Sequence, residues 1–199
     1  GFEKLNVVCN FVDQEKLDLF KGQNVIERDN YYIYLGRLSK EKGVVTLVNV
    51  AKKLPYKLKI LGGGPLENCL KMMCDGCPNI EFMGHKDAIT VAKLLSLAKF
   101  SVVPSEWYEN NPLSVIESLC AGTPVVGANI GGIPELIDNG DTGYIFESGN
   151  SAQLRECIEN AFSQQWDFDK IKMLSLCRFS QEKHYALLEK VYGQQLIVE

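Results

Sequence analysis

The chain has 199 residues, 46% of them hydrophobic and 23% charged, with a net charge of −4 at neutral pH. That composition is ordinary for a globular protein, and roughly 100–200 residues is the length of one domain, with core enough to need no covalent staples. The charge gives no basic excess that would favour nucleic acid, and no apolar run approaches the ~18–20 residues of a membrane-crossing helix.

Residues 1–28 hold a short apolar run followed by polar residues and do not join the pattern that comes after them. From residue 31 onward, strand-like and helix-like segments alternate. "YYIYLGRL" (31–38) is aromatic and β-branched and turns at Gly36. "KGVVTLVNVAKKL" (42–54) places Val44, Leu47, Val48 and Ala51 on one helical face. "YKLKILGGG" (56–64) is a strand ending in glycines, and Pro65 suits the first position of a short helix. "NIEFMGH" (79–85) is a further strand; Asp87 caps a helix with Val91, Leu94, Leu95 and Ala98 inward. "KFSVVPS" (99–105) is a buried-type strand. An apolar helix follows Pro112 and stops at Gly122, and "TPVVGAN" (123–129) is the next strand. "GGIPELI" starts a short helix and "TGYIFES" is a last short strand. Residues 151–163 and 180–192 predict two amphipathic helices. This alternation predicts an α/β fold, a Rossmann-like doubly wound parallel sheet of about six strands.

The N-terminal "GFEKLNVVCNFVDQEKL" lacks the basic start, apolar middle and cleavage site of a signal peptide. Seven scattered cysteines, an odd number, predict reduced thiols and a cytoplasmic setting. Cys74 and Cys77 form a C-x-x-C without the second pair that zinc would need, and Gly76 and Pro78 mark the place as a helix end. Asp167-Phe168-Asp169 is a literal Asp-x-Asp, a pattern able to bind metal, but it follows a helix rather than a strand and reads as a chance match. No metal and no cofactor are expected.

In a doubly wound sheet, ligands sit beyond the carboxyl ends of the strands. Three of the loops there carry chemistry. In "GRLSKEKG", Arg37 leaves a strand and Lys42 stands at a helix start, where a positive charge opposes the helix dipole unless an anion lies between. Arg grips a diphosphate bidentately and Lys adds a point charge; the alternative is a solvated charged turn. In "LGGGPLE", Gly62, Gly63 and Gly64 allow close backbone approach, but Glu67 stands where a dinucleotide fingerprint needs its third glycine; the alternative is a tight turn before Pro65. In "SEWYENNPLSVIESLC", Pro112 fixes a helix start, leaving the N–H groups of Leu113, Ser114 and Val115 pointing outward. Glu109 precedes that anion site and Glu117 follows it. Two ordinary surface acids are one reading. Two carboxylates accepting hydrogen bonds from sugar hydroxyls, with phosphates between them, is the other.

The segments "YLGRLSKEKG", "ILGGGPL", "IEFMGH", "ENNPLSVIESLCAGTPVV", "GGIPELIDNGDTGYIF" and "FSQEKH" resemble, in order and over about residues 31–184, the C-terminal donor-binding domain of retaining GT-B glycosyltransferases of family four. The E-x7-E element of Glu109 and Glu117 is the most specific part. The resemblance implies a retaining hexosyltransferase acting from a nucleotide diphosphate sugar of UDP, GDP or ADP type onto a glycan, lipid or small-molecule acceptor, as in polysaccharide biosynthesis. Arg37 and Lys42 would hold the diphosphate, and Glu109 would face the transferred sugar. The backbone of Asn111, Pro112, Leu113 and Ser114 would face the diphosphate, and Glu117 would bind the ribose. His85 and Lys86 would lie beside the base, with Gly36 and the glycines at 62–64 shaping the cleft wall and Gly131–Gly132 the following loop.

The family has two such domains with the active site between them. The resemblance therefore implies a missing N-terminal acceptor domain, a chain inactive on its own, and a location in the cytoplasm or at the inner face of the membrane, reached peripherally through the missing half. The domain reading is 1–28 as a post-linker segment, 29–179 as the nucleotide-sugar-binding domain and 180–199 as a helix crossing back. Phe11 stands where the family's post-linker segment commonly has Gly, and Asn110-Asn111-Pro112 where Gly-Phe-Gly is more usual. The alternatives are a noncatalytic nucleotide-sugar-binding or partner module, a sugar-nucleotide epimerase, which lacks this E-x7-E context, and a Rossmann dehydrogenase, which would need the absent glycine fingerprint.

Overall fold

The computed structural model describes residues 8–195 except 24 and 26. Residues 1–7 of the expected post-linker segment and 196–199 of the expected crossing helix lie outside the described residues.

The strands are β1 (Tyr31–Leu35), β2 (Lys57–Leu61), β3 (Ile80–Gly84), β4 (Phe100–Val103), β5 (Val125–Ala128) and β6 (Gly143–Phe146). They form one parallel sheet of order β3-β2-β1-β4-β5-β6, the doubly wound arrangement whose order reverses between β1 and β4. Residues of β4 and β5 are buried throughout, as is β1 up to Leu35. A parallel sheet covered on both faces requires such continuously apolar strands.

The helices, in chain order, are α1 (Gln14–Lys21), α2 (Val44–Ala51), α3 (Glu67–Met73), α4 (Ala88–Leu97), α5 (Leu113–Cys120), α6 (Ile133–Leu136), α7 (Ser151–Ser163), α8 (Phe168–Arg178) and α9 (Gln181–Gln195). Right-handed crossovers put α2, which leads from β1 to β2, and α5, which leads from β4 to β5, on opposite faces. Accordingly α2 packs with α7, whereas α5 packs with α4 and α8, and α1 lies against α4. The predicted faces hold for α2, where Val44, Leu47, Val48 and Ala51 are all buried. On α4 the buried residues are Ala92, Leu95 and Ser96, and Val91 and Leu94 are half-buried toward its edge.

Helix α1 and helix α8 were not foreseen. Asp13 caps α1 by accepting the Lys16 N–H at 2.9 Å. Asp167 does the same for α8 with the Lys170 N–H, also at 2.9 Å. The Asp-x-Asp is thus a helix cap. The cysteine pair sits where α3 ends, with Cys74 buried and Cys77 half-buried, and all seven cysteines are free thiols. The segment before α1 packs on the start of α9: Val12 N–H donates to the Phe179 carbonyl at 3.1 Å, the Phe11 ring lies 4.7 Å from the His184 ring, and His184 Nδ1 is 2.8 Å from the Cys9 carbonyl oxygen.

One half-buried cation ties the face that carries α4 and α5. The Arg28 guanidinium donates to the carbonyls of Leu95, Ala98, Ala121 and Gly122 and to Thr123 Oγ1, at 2.7–3.2 Å, and lies 4.4 Å above the Phe168 ring. Burial pulls it down to about 10, so it is charged at neutral pH. It stands at the C-terminal ends of α4 and α5, where backbone carbonyls lack helical partners and a cation is favoured.

Candidate functional site

A cleft of about 580 Å³ opens beyond the carboxyl ends of β1 and β4, where the strand order reverses. Four segments build it. Beyond β1, Gly36 and Arg37 turn outward, held by the Tyr34 hydroxyl donating to the Arg37 carbonyl at 2.7 Å. Burial raises the Tyr34 phenol well above its usual range, so it remains a hydrogen donor. A single 3-10 turn, Lys40–Lys42, then presents Lys42. Beyond β4, Pro104 and Ser105 lead through Glu109 to the start of α5. The N-terminal end of α4 adds Lys86 and Ala88, and α1 closes the remaining side with Lys16, Leu19 and Phe20.

The start of α5 has no side-chain cap. The N–H groups of Leu113 and Ser114 have no partner among the described residues, while the Val115 N–H, expected to be free as well, donates to the Pro112 carbonyl at 3.1 Å. Two open donors therefore face the cleft at the positive end of a helix dipole, an arrangement that attracts anions.

Both carboxylates in the cleft are ion-paired. Lys42 Nζ donates to Glu109 Oε1, and Ser105 Oγ donates to the same oxygen at 3.0 Å. Lys16 Nζ donates to Glu117 Oε1 at 2.7 Å, with the Glu117 side chain 12% exposed. That hydrogen bond raises the Lys16 ammonium above its ordinary value and keeps it charged. Arg37 and Lys86 make no ion pair among the described residues. Four cations thus face two carboxylates, and the uncompensated charge is positive.

Of the residues predicted from sequence, Gly36, Arg37, Lys42, Lys86, Glu109, Pro112, Leu113, Ser114 and Glu117 line this one cleft. The others do not line it, and Asn111, Gly131 and Gly132 line an adjoining cavity that shares Glu109. Gly62 and Gly64 pack on the loop after β1: a Cβ at Gly62 would lie 2.0 Å from the Gly36 carbonyl oxygen, and one at Gly64 would lie 2.5 Å from that of Leu38. His85 lies over Gly63, beside Glu67. Asn111 anchors the N-terminal segment, its Oδ1 accepting the Asn10 N–H and its carbonyl accepting Asn10 Nδ2, both at 3.0 Å. Gly131 and Gly132 support the Glu109 backbone, and the Gly132 N–H donates to the Glu109 carbonyl at 2.7 Å. Sequence reasoning missed Lys16, Leu19 and Phe20. Their available signal was Asp13 as a cap followed by Leu17 and Phe20 at helical spacing.

The profile of the family described as "Glycosyl transferases group 1" matches residues 15–174. The chain belongs to that family. It is 31% identical over 166 residues to the N-acetyl-alpha-D-glucosaminyl L-malate synthase of Bacillus anthracis, covering 76% of this chain and 42% of that protein. Among solved structures, it superposes on the apo lipopolysaccharide outer core galactosyltransferase WaaB with a TM-score of 0.80 at 17% identity, covering 95% of this chain and 56% of that one. It superposes on Anabaena HepE in complex with UDP-glucose with a TM-score of 0.73 at 19% identity, covering 94% and 57%. The fold is that of one Rossmann-like half of the GT-B glycosyltransferases, and the chain spans only about two fifths to three fifths of these relatives.

Proposed function

We propose that the chain is the donor-binding half of a retaining glycosyltransferase that moves a hexose from a nucleotide diphosphate sugar to a glycan, lipid or small-molecule acceptor. The observation that carries this reading is the order of groups along the cleft: a lysine-paired carboxylate, an open helix start, and a second lysine-paired carboxylate. In the reading, the Leu113 and Ser114 N–H groups, Arg37 and Lys42 hold the diphosphate. Their positive charge stabilises the departing nucleoside diphosphate as the sugar–oxygen bond breaks. Glu117 accepts hydrogen bonds from the ribose, Glu109 from the hexose, and Lys86 lies toward the base. That HepE is seen with UDP-glucose supports a donor of this class. Residues 29–179 form the donor domain in this proposal, and residues 1–28 and 180–199 join it to an N-terminal acceptor domain. That second domain completes the active site, so the present chain binds donor without transferring, on the cytoplasmic side of the membrane.

Titration of the chain with UDP, GDP and ADP and their hexose conjugates, followed by thermal shift and calorimetry, tests the reading. Saturable binding of one nucleotide series is expected; no binding of any series, or robust transfer by this chain alone, overturns it. Glu117→Ala is expected to weaken nucleoside diphosphate binding by about 1–3 kcal/mol, the scale of lost hydrogen bonds to a charged group, without weakening pyrophosphate. Unchanged nucleotide affinity would remove the ribose role. Arg37→Ala is expected to lower affinity for the diphosphate far more than for the parent nucleoside, and equal losses would contradict a phosphate role.

A further inference from the structure

Sequence alone assigns Lys16 no site role, yet its ammonium reaches the cleft from α1 and bonds Glu117 at 2.7 Å. An ammonium has three N–H donors and no acceptor; a carboxylate has about four acceptor sites and no donor. Lys16 spends one donor on Glu117 Oε1, and Glu117 Oε2 has no partner among the described residues. The pair therefore offers both free donors and free acceptors at one spot. A vicinal diol is its chemical complement, because each hydroxyl donates one hydrogen bond and accepts others. A carboxylate alone would satisfy the diol's protons and leave its oxygens unmatched.

The placement agrees. Leu113 and Glu117 are four residues apart on α5, and Ser114 and Glu117 three apart, so the helix start and the carboxylate share one face. A phosphate at the two open N–H groups brings the adjoining sugar toward the Lys16–Glu117 pair. Lys16 is also set apart from the other cleft cations: it alone is bonded to Glu117, whereas Lys42 is bonded to Glu109, and Arg37 and Lys86 rise from other loops.

We propose that Lys16 is a second ribose-binding residue, forming with Glu117 an ion-paired clamp on the vicinal diol that sets a preference for ribonucleotides over 2′-deoxyribonucleotides. This inference rests on the reading of the cleft as a nucleotide-sugar site. The test is calorimetric titration of the wild-type chain, Lys16→Met and Lys16→Arg with UDP and 2′-deoxy-UDP, repeated with the GDP and ADP pairs. Wild type is expected to prefer the ribose form. Lys16→Met keeps the apolar stem and is expected to lose about 10-fold or more in affinity for the ribose form, the scale of a hydrogen bond to a charged group, while the 2′-deoxy form changes less than about twofold. Lys16→Arg retains the charge and is expected to retain most of the preference, and thermal unfolding of both variants controls for folding. Equal loss for both forms would make Lys16 a phosphate contact, and unchanged or tighter binding would make the pair an idle or occluding contact; either overturns the proposal. If wild type binds no nucleoside diphosphate, the functional reading itself fails, an outcome visible without any variant.

Discussion

Arg28→Ala is expected to lower the unfolding free energy by about 3–4 kcal/mol, the largest effect of any single substitution considered for this chain. The reason is the company the guanidinium keeps. It donates to four backbone carbonyls and one hydroxyl drawn from the ends of two helices and the turn after them. Removing it leaves the Ala98, Ala121 and Gly122 carbonyls without a partner among the described residues, while Leu95 keeps the Ala98 N–H and the Thr123 hydroxyl; the cost is about 1–3 kcal/mol for each that water fails to reach, and a cation is lost from the negative ends of two dipoles. The Phe168 ring loses its stacked partner as well. Lysine is a poor substitute, because one ammonium with three donors does not span acceptors arranged around a planar fork. Urea unfolding followed by circular dichroism measures the effect, and the midpoint temperature should fall by about 10 °C for a chain of this size. A loss below about 1 kcal/mol would show that water replaces the guanidinium and that the helix ends are not held by it.

Gly132→Ala is expected to cost about 1–3 kcal/mol of stability and to abolish the contribution of the donor's sugar to binding. The backbone of Gly132 has φ −87°, open to any residue, so the constraint is purely steric. A methyl there would lie 1.8 Å from the Asn110 carbonyl oxygen, and both sides of that contact are backbone. The loop carrying Glu109 must move away, taking with it the Gly132 N–H to Glu109 carbonyl bond. The Glu109 carboxylate, held by Lys42 and Ser105, then loses its place in the cleft. Helix α5 is anchored separately by buried Val115, Ile116 and Leu119, so its open N–H groups stay where they are. The expected pattern is near-normal affinity for UDP with no gain from an attached hexose, read by titrating UDP and UDP-glucose in parallel. Normal gain from the sugar in the variant would mean that the loop tolerates the methyl and that Glu109 is not positioned by the glycine pair.

Much of this architecture is legible in the sequence because burial on both sheet faces leaves a continuous apolar signature. The six strands, the Asp87 cap on α4, which accepts the Thr90 N–H at 2.8 Å, and the span of α7 all follow from local pattern. Two helices escaped for a common reason. Helix α1 buries only Leu17 and Phe20. Helix α8 buries only Ile171 and Ser175 and exposes Met173 and Leu174, so its apolar residues do not fall on one stripe. The site is legible as a set of loops, since the rule of carboxyl-end loops selects them. Its pairings are not, because Lys42 meets Glu109 across 67 residues and Lys16 meets Glu117 across 101. Nor does the sequence reveal which glycines face a ligand and which face backbone. Gly62 and Gly64 lie under the backbone of the loop after β1, a tertiary contact with no local trace, and Gly62 also adopts a positive φ of 118°.

The two lysine–carboxylate pairs also bear on how readily the cleft receives a ligand. A lysine side chain loses up to about 1.5–2 kcal/mol of rotamer freedom when it is fixed in one place. A site whose lysines swing freely in solvent incurs that loss at the moment of capture. Lys16 and Lys42 are already tethered at one point each, to Glu117 and Glu109, so their ordering belongs to folding. What remains for an incoming molecule is to join hydrogen-bond geometry that is already set, which lowers the entropic cost of binding in the cleft.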